Sequence, residues 1–387
     1  MSKHYLFTSV SASGHLNPTL PLVRELVDRG HRVSYVTDAK RRVEVEAAGA
    51  TLVPTVWGGV DAGGALTFGP EMVLGRIRHL IAETRASYPV LMERFERDRP
   101  DAVCFDISTL LGRVLAEKLA VPDITLVPVF AANEHFSLFN RMLPVVDEAT
   151  REQMMAELGE LATELGLAAL PHPVAGPPSD RTIVFIPREF QPAGDTFDDR
   201  FRFVGPLVGQ RPDRGDWQPP TQGRPLLFIS LGTVFNNRPD FFQMCVAAFG
   251  DGKWQVAMAT GGVDPALLGD LPANFDVRPT FPQTLVLQHA DAFLSHTGMN
   301  STMESLLYGV PLVAVPQQPE QQANAERVEE LGLGRRLVTD DITATMLRTA
   351  VDDVAADRGI RTRLDEMQAI IAKAGGAVEA ADLVEAR

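Results

Sequence analysis

Two histidines stand where an open parallel α/β chain gathers its polar chemistry, at the carboxyl ends of strands. His15 follows the apolar strand YLFTSV, in the loop SASGH that leads into a helix. His296 follows the apolar strand ADAFLS, in the turn HTGMNS. A neutral imidazole titrates near physiological pH, so His15 can take a proton from a hydroxyl. Such a base needs a carboxylate to fix its tautomer and to stabilise the imidazolium. Asp106, which ends the strand DAVCFD at the same sheet edge, is the candidate. Each has a plainer reading, a solvent-facing loop histidine and a turn or N-cap aspartate ahead of the helix STLLGRVLAEKL.

Residues 280–327, TFPQTLVLQHADAFLSHTGMNSTMESLLYGVPLVAVPQQPEQQANAER, read as loop, strand, polar turn, helix, strand and a second polar turn into a helix. Ser301 with Glu304 three residues later has the spacing of a capping box. The same helix start offers N–H groups and a positive dipole end, an anion site. Gly298 would let a phosphate approach closely, and His296, Asn300 and Ser301 would add donors. The paired amides Gln317-Gln318 and Gln321-Gln322 suit the reading of hydroxyls, which a cap does not explain. Ser230, Gly232 and Thr233 close the strand PLLFISLG, either as a plain turn or as hydroxyls and bare backbone within reach of a diphosphate.

The elements that must position these residues alternate strand and helix. YLFTSV is followed by a helix with Leu16, Leu20, Val23 and Val27 on one face, for which Asn17 is the expected N-cap and Pro18 the first helical residue. HRVSYVT and ATLVPT continue the pattern of a doubly wound domain. The loop SASGH lacks both G-x-G-x-x-G and a P-loop lysine, so it is not a dinucleotide or ATP site. QRPDRGDWQPPTQGRP is rich in Pro and Gly without apolar period, a linker. The expected organisation is a first domain over 1–209, a linker over 210–224, a second domain over 225–365, and a terminal helix over 366–387 with a Gly375-Gly376 break. The glycine-rich run after Thr55, with Trp57, Phe68 and Met72, and the later Phe130, Phe136, Phe139 and Met142, can fill a core or line an apolar pocket at the top of the first sheet.

Composition narrows the classes. A chain of 387 residues, 45% hydrophobic and 22% charged, suits two soluble domains. A net charge of −14 leaves no basic stripe for nucleic acid or an anionic membrane. Cys104 and Cys245 make no disulfide framework. No leader or membrane-spanning run is legible, and a reducing cytoplasm is the fitting compartment.

The motifs in 280–327 resemble the donor-binding signature of nucleotide-sugar-dependent glycosyltransferases of natural products, the plant secondary-metabolite and bacterial macrolide and antibiotic enzymes. The matching residues are Pro282-Gln283, then His296, Gly298, Asn300, Ser301 and Glu304 in H-x-G-x-N-S-x-x-E, then Gly309-Val310-Pro311, then Glu320, Gln321, Asn324 and Ala325 in E-Q-x-x-N-A. G-H-x-N-P from Gly14 and F-D at Phe105-Asp106 resemble the acceptor-side dyad of the same enzymes. The resemblance implies an α/β GT-B fold, two facing doubly wound domains with an interdomain cleft, the first for acceptor and the second for donor. It implies inverting transfer of a hexose from a UDP- or dTDP-sugar to a hydrophobic acceptor such as a macrolide, polyketide or flavonoid, with His15 as base and Asp106 behind it. His296, Asn300, Ser301 and Thr233, with Ser230 and Gly232, would hold the diphosphate. Glu304 would accept from the ribose, Gln283 would meet the nucleoside, and Glu320 and Gln321, which favour glucose over a deoxysugar, would bind sugar hydroxyls.

Many relatives of this kind carry a stacking aromatic three residues before the glutamine. Here that position is Thr280, so either base stacking is lost or Phe281 supplies it from a shifted loop, and the choice between UDP and dTDP stays open. No D-x-D triplet occurs, so neither a metal nor a cofactor is expected. The expected state is a monomer or homodimer. Three rival readings remain: a dTDP-deoxysugar antibiotic glycosyltransferase; another GT-B enzyme, such as an epimerase or a glycosyltransferase of lipid or cell-wall precursors, against which the acidic composition speaks; and a non-catalytic sugar-nucleotide-binding accessory protein, which would be expected to lack the His15–Asp106 pair.

Overall fold

A computed structural model describes residues 1–55, 69–142, 146–171, 179–209, 217–221, 223–234, 236–338 and 341–386. The chain divides into two compact units, Met1–Pro212 with Ala374–Arg387, and Asp213–Lys373. In the first unit the order is β1 (His4–Thr8), α1 (Ser13–Asp28), β2 (Arg32–Asp38), α2 (Arg42–Ala47), β3 (Thr51–Thr55), α3 (Pro70–Arg97), β4 (Ala102–Asp106) and α4 (Leu111–Leu119). It continues with β5 (Asp123–Val127), α5 (Leu138–Met142), α6 (Glu148–Glu164), β6 (Thr182–Val184) and β7 (Phe201–Phe203). The second unit holds β8 (Leu226–Ser230), α7 (Pro239–Phe249), β9 (Gln255–Ala259), β10 (Phe275–Arg278), α8 (Gln283–Leu287), β11 (Ala292–Ser295) and α9 (Met299–Leu307). Then come β12 (Leu312–Ala314), α10 (Pro319–Glu330), β13 (Gly334–Arg336), α11 (Ala344–Ala356) and α12 (Arg358–Lys373), and α13 (Gly376–Glu385) returns to the first unit.

Each unit is built on one parallel sheet. The strand orders are β3-β2-β1-β4-β5-β6-β7 and β10-β9-β8-β11-β12-β13. Because helices cover both faces of a parallel sheet, its strands are apolar on both faces, and β1, β4 and β8 are buried at every position. In the first unit α1 packs with Tyr5, Phe7, Tyr35 and Cys104 on one face. On the other, α3 and α4 pack with Leu6, Val36, Val103 and Phe105. The helices that follow the adjacent strands β1 and β4 therefore lie on opposite faces, which makes the β1/β4 boundary a topological switch point. The second sheet reverses its order in the same way between β8 and β11.

Two glycines of left-handed backbone, Gly375 (φ 84°) and Gly376 (φ 60°), turn the chain between α12 and α13. The last helix then adds Ala380, Ala381 and Val384 to the apolar face of α1. Arg29 donates to Asp382 and Glu385, both at 2.5 Å, and Lys3 Nζ donates to the Glu385 carbonyl at 3.0 Å.

The first helix departs from the sequence expectation. It starts at Ser13, not after an Asn17 cap, because the N–H groups of His15 and Leu16 already close on the Ala12 carbonyl at 3.0 Å. Pro18 and Pro21 lie inside the helix, and the earlier start carries His15 onto its first turn.

The β1–β4–α4 junction leaves no room for a side chain at Gly112. A β-carbon there would lie 2.2 Å from Thr8 Oγ1 and 2.3 Å from Phe105 Cβ. Gly112→Ala should lower the free energy of unfolding by about 1–3 kcal/mol, the usual cost of overpacking. A chemical-denaturation midpoint equal to that of the parent chain would show that the junction yields freely.

Candidate active site

The β1/β4 switch point holds the first constellation. His15 Nδ1 lies 2.8 Å from Asp106 Oδ2. The Asp106 carboxylate is wholly buried, and its Oδ1 accepts the Ser108 N–H at 2.7 Å. An ionised carboxylate only accepts, so the His15 proton belongs on Nδ1 and the Nε2 lone pair is left to act as a base. The His15 side chain is 17% exposed. Arg41, which sequence reasoning passed over, steadies the loop ahead of α1. Its Nε and Nη2 donate to the Ser11 carbonyl at 2.7 and 2.5 Å, and Nη2 reaches Ser13 Oγ at 3.0 Å.

Glu83 was also missed, since nothing in its linear context separates it from the exposed charges of a long helix. It accepts from Thr55 Oγ1 at 3.2 Å beside the carboxyl ends of β2 and β3. Burial pushes its pKa up to about 7.

The apolar candidates separate by depth. Phe130 is buried, stacked on Phe190 at 5.7 Å and edge-on to Phe136 at 5.5 Å. Phe136, Phe139 and Met72 are half-buried, and Phe139 packs against a core cluster shared by α3 and α6. Met142 ends α5, but its side chain, like Trp57 and Phe68, lies outside the described residues.

The β8/β11 switch point holds the second constellation. His296 leaves β11 and its ring lies against two glycines. A β-carbon on Gly232 would come within 2.4 Å of His296 Nε2, and one on Gly298 within 2.6 Å. Gly232 also has φ 80°, where glycine alone sits without strain. Burial lowers the His296 pKa to about 4, with the Ser230 carbonyl opposing only in part, and Nδ1 is buried without a partner in hydrogen-bonding geometry. The imidazole is therefore neutral at physiological pH and offers one N–H rather than a charge.

α9 begins with Gly298 as its cap residue, and no side chain caps it. The capping-box reading of Ser301 and Glu304 therefore does not hold. Ser301 is the third residue inside the helix. Both side chains instead meet Gln283 Nε2, which donates to Ser301 Oγ at 3.1 Å and to Glu304 Oε2 at 2.7 Å. The first helical bond runs from Thr302 N–H to the Gly298 carbonyl, so the N–H groups of Met299, Asn300 and Ser301 precede it, in the arrangement that attracts anions. Glu304 is 1% exposed, with the Gln283 amide satisfying one of its oxygens.

Ser230 is buried and accepts the Gly232 N–H at 3.2 Å, whereas Thr233 is exposed. Gln321 is buried and Glu320 half-buried, side by side in the first turn of α10. Phe281 is 5% exposed, edge-on to Phe228 at 6.0 Å, and carries the Arg278 guanidinium 5.2 Å from its ring centre. The aromatic beside Thr280 thus packs into the core of its unit. Among the described residues no cluster of His, Cys, Asp and Glu could hold a metal ion, and no helix is long and apolar enough to cross a membrane.

Known proteins resemble this chain over most of its length. Residues 247–385 match the family described as erythromycin biosynthesis protein CIII-like, C-terminal domain. The chain is 39% identical to an NDP-glycosyltransferase of Bacillus licheniformis, over 99% of this chain and 97% of that protein. It is 39% identical to the demethyllactenocin mycarosyltransferase of Streptomyces fradiae, over 99% of this chain and 86% of that protein. The crystal structure of the calicheamicin glycosyltransferase CalG4 superposes with a TM-score of 0.84 at 38% identity, covering 100% of this chain and 98% of that one.

The buried neutral state of His296 has a consequence for stability. In the unfolded chain it titrates near 6.5, in the fold near 4. Below pH 6.5 the unfolded state binds a proton that the folded state refuses, so stability is lost as pH falls from 6.5 toward 4. His296→Gln should make the dependence of the urea midpoint on pH shallower over that window. An unchanged slope would mean that His296 titrates normally.

Proposed function

The chain belongs to the nucleotide-sugar-dependent glycosyltransferases that include the NDP-glycosyltransferases and the macrolide glycosyltransferases, and from this premise we propose that it transfers a hexose, with inversion, to a hydroxyl of a hydrophobic natural product. Its fold is GT-B. The observation that carries the reading is the His15–Asp106 pair at the switch point of one sheet, matched at the switch point of the other by His296 over an uncapped helix start.

In this reading the first unit binds the acceptor. His15 Nε2 takes the acceptor hydroxyl proton while its oxygen forms a bond to the anomeric carbon. The bond from that carbon to the diphosphate oxygen breaks, and its electron pair leaves with the diphosphate. Asp106 stabilises the imidazolium that results. Attack from the side opposite the leaving group inverts the anomeric centre. The second unit binds the donor. The α9 start, with donors from His296, Asn300, Ser301 and Thr233, receives the diphosphate and stabilises the charge that grows on it. Glu304 and Gln283 take the nucleoside, and Glu320 and Gln321 take the sugar hydroxyls. UDP-glucose is the first donor to try, with dTDP-glucose beside it, because Thr280 leaves no ring at the position where a base would stack.

The reading requires no cofactor and no metal, and assigns a cytoplasmic enzyme acting as a monomer or homodimer. The hydrogen bond between His15 and the buried Asp106 carboxylate supports this reading over an accessory role without catalysis.

Replacing the base separates binding from chemistry. His15→Ala should bind UDP as the parent does and lose about 100- to 10,000-fold in transfer rate, the span of general-base contributions. Full activity in that variant, followed by mass spectrometry of glycosylated product, would remove His15 from the mechanism. Transfer by the parent chain should be undiminished in excess EDTA, and its abolition would require a metal in the donor site.

A further inference from the structure

One side chain joins two loops of the second unit that are distant in sequence. Arg238 stands just before α7. Its Nε donates to Asp240 Oδ1 at 3.0 Å and its Nη2 to Asp240 Oδ2 at 2.8 Å. The remaining arm of the fork, Nη1, donates to Gln317 Oε1 at 2.8 Å, in the turn that follows β12. With Oε1 committed to a cation, Gln317 Nε2 is the end that donates, and it meets the Val315 carbonyl at 2.8 Å. The Gln317 backbone N–H then donates to Gln321 Oε1 at 2.8 Å.

The chain of contacts continues to the anion-binding turn. The Gln321 carbonyl accepts from Thr297 Oγ1 at 3.1 Å, and Asn324 Nδ2 donates to the Thr297 carbonyl at 2.9 Å. Thr297 is wholly buried with φ 59°, a left-handed conformation that strains a β-branched residue. The bonds from α10 hold it there, next to His296.

We propose that Arg238 is a positioning residue for the sugar of the donor. It fixes the Gln317 amide, Gln317 fixes the Gln321 amide with Oε1 turned inward, and Gln321 Nε2 is thereby the atom directed to a sugar hydroxyl. The inference rests on the donor reading of this unit. Arginine is required because its planar fork serves a carboxylate along one edge and an amide with its third nitrogen, which an ammonium on a flexible stem cannot do together. The Arg238–Asp240 pair is 40% and 63% exposed, so it adds little to fold stability. Its use is directional, and the side chain bears directly on the sugar-reading turn, reaching the turn before α9 only at one remove, where the Gln321 carbonyl accepts from Thr297.

That division gives the test. Calorimetry on the full chain would compare UDP with UDP-glucose, and dTDP with dTDP-glucose, for the parent, Arg238→Lys and Gln317→Leu. Both variants should bind the nucleotide sugar about tenfold more weakly, a change of ~1.4 kcal/mol, while binding the nucleoside diphosphate within about twofold of the parent. The loss should appear in KM for the nucleotide sugar rather than in kcat. Retained diphosphate binding also reports that the variants are folded. Equal weakening of diphosphate and nucleotide sugar would overturn the proposal in favour of a charge or folding role, and no weakening of either would overturn it outright. A parent chain that binds neither nucleotide sugar would instead sink the donor reading beneath it.

Discussion

Adjacent strands of a parallel sheet usually send their connections to the same side, and the carboxyl edge between them is then filled. Where the strand order reverses, the two following helices part to opposite faces, and the backbone leaves a gap that polar groups can enter. This chain makes that reversal twice, at β1/β4 and at β8/β11. The consequence is visible in which atoms meet. β1 and β4 pair in register from Tyr5 with Ala102 to Thr8 with Phe105, and only past that register do His15 and Asp106 come within 2.8 Å. β8 and β11 pair Ser230 with Ser295, and only past that pair do Gly232 and His296 converge. The chemistry-bearing residues are therefore those that the sheet delivers once its ladder has ended.

The two gaps are furnished differently. At the first, a carboxylate is buried whole, with a backbone N–H and an imidazole as its hydrogen-bond partners. At the second, space is made by omission. Two residues without side chains admit a histidine ring, and a helix starts with its N–H groups uncapped. Any β-carbon at Gly232 or Gly298 would push the ring away, and a serine or aspartate cap at Gly298 would compete with an external anion for the same N–H groups. A stretch that could have been stabilised by an ordinary cap has no side-chain cap, a departure from the local rule that the proposed function would explain.

Much of this was legible in the residues. The strands were readable as short apolar runs because burial on both faces demands them. The H-x-G-x-N-S spacing pointed to a turn followed by a helix, and both are present, but the helix begins at Met299 with Gly298 as its cap, three residues ahead of the start that a Ser301 cap would give. Other features were not legible. The capping box at Ser301 and Glu304 has the right spacing, yet Gln283 engages both side chains, and no local rule reveals a partner from another helix. The start of α1 moved forward because Ala12 accepts the first turn, overriding the signal of Asn17-Pro18. Phe281 stands beside the position where a base would stack, but its neighbour in space is Phe228, and it sinks into the core. Arg41 and Arg238 were silent for the same reason. Their partners, Ser11 and Gln317, are tens of residues away, and an arginine in sequence looks alike whether it is solvated or bracing a loop.

The difference between the two histidines follows from what each is allowed to touch. His15 is partly exposed and holds a buried carboxylate at 2.8 Å, so a proton gained at Nε2 creates a cation that is already paired. His296 is confined between glycines and strand ends with Nδ1 buried, and burial lowers its pKa to about 4. A proton gained there would be an unpaired charge in a poorly solvated place, so it stays neutral and can only lend a hydrogen bond. Exchanging their surroundings would exchange their aptitudes. In the proposed transfer the group that must become charged is the one provided with a counter-charge. The group that must stay passive beside an accumulating negative charge is the one denied protonation, so it polarises the leaving diphosphate without titrating as that charge grows.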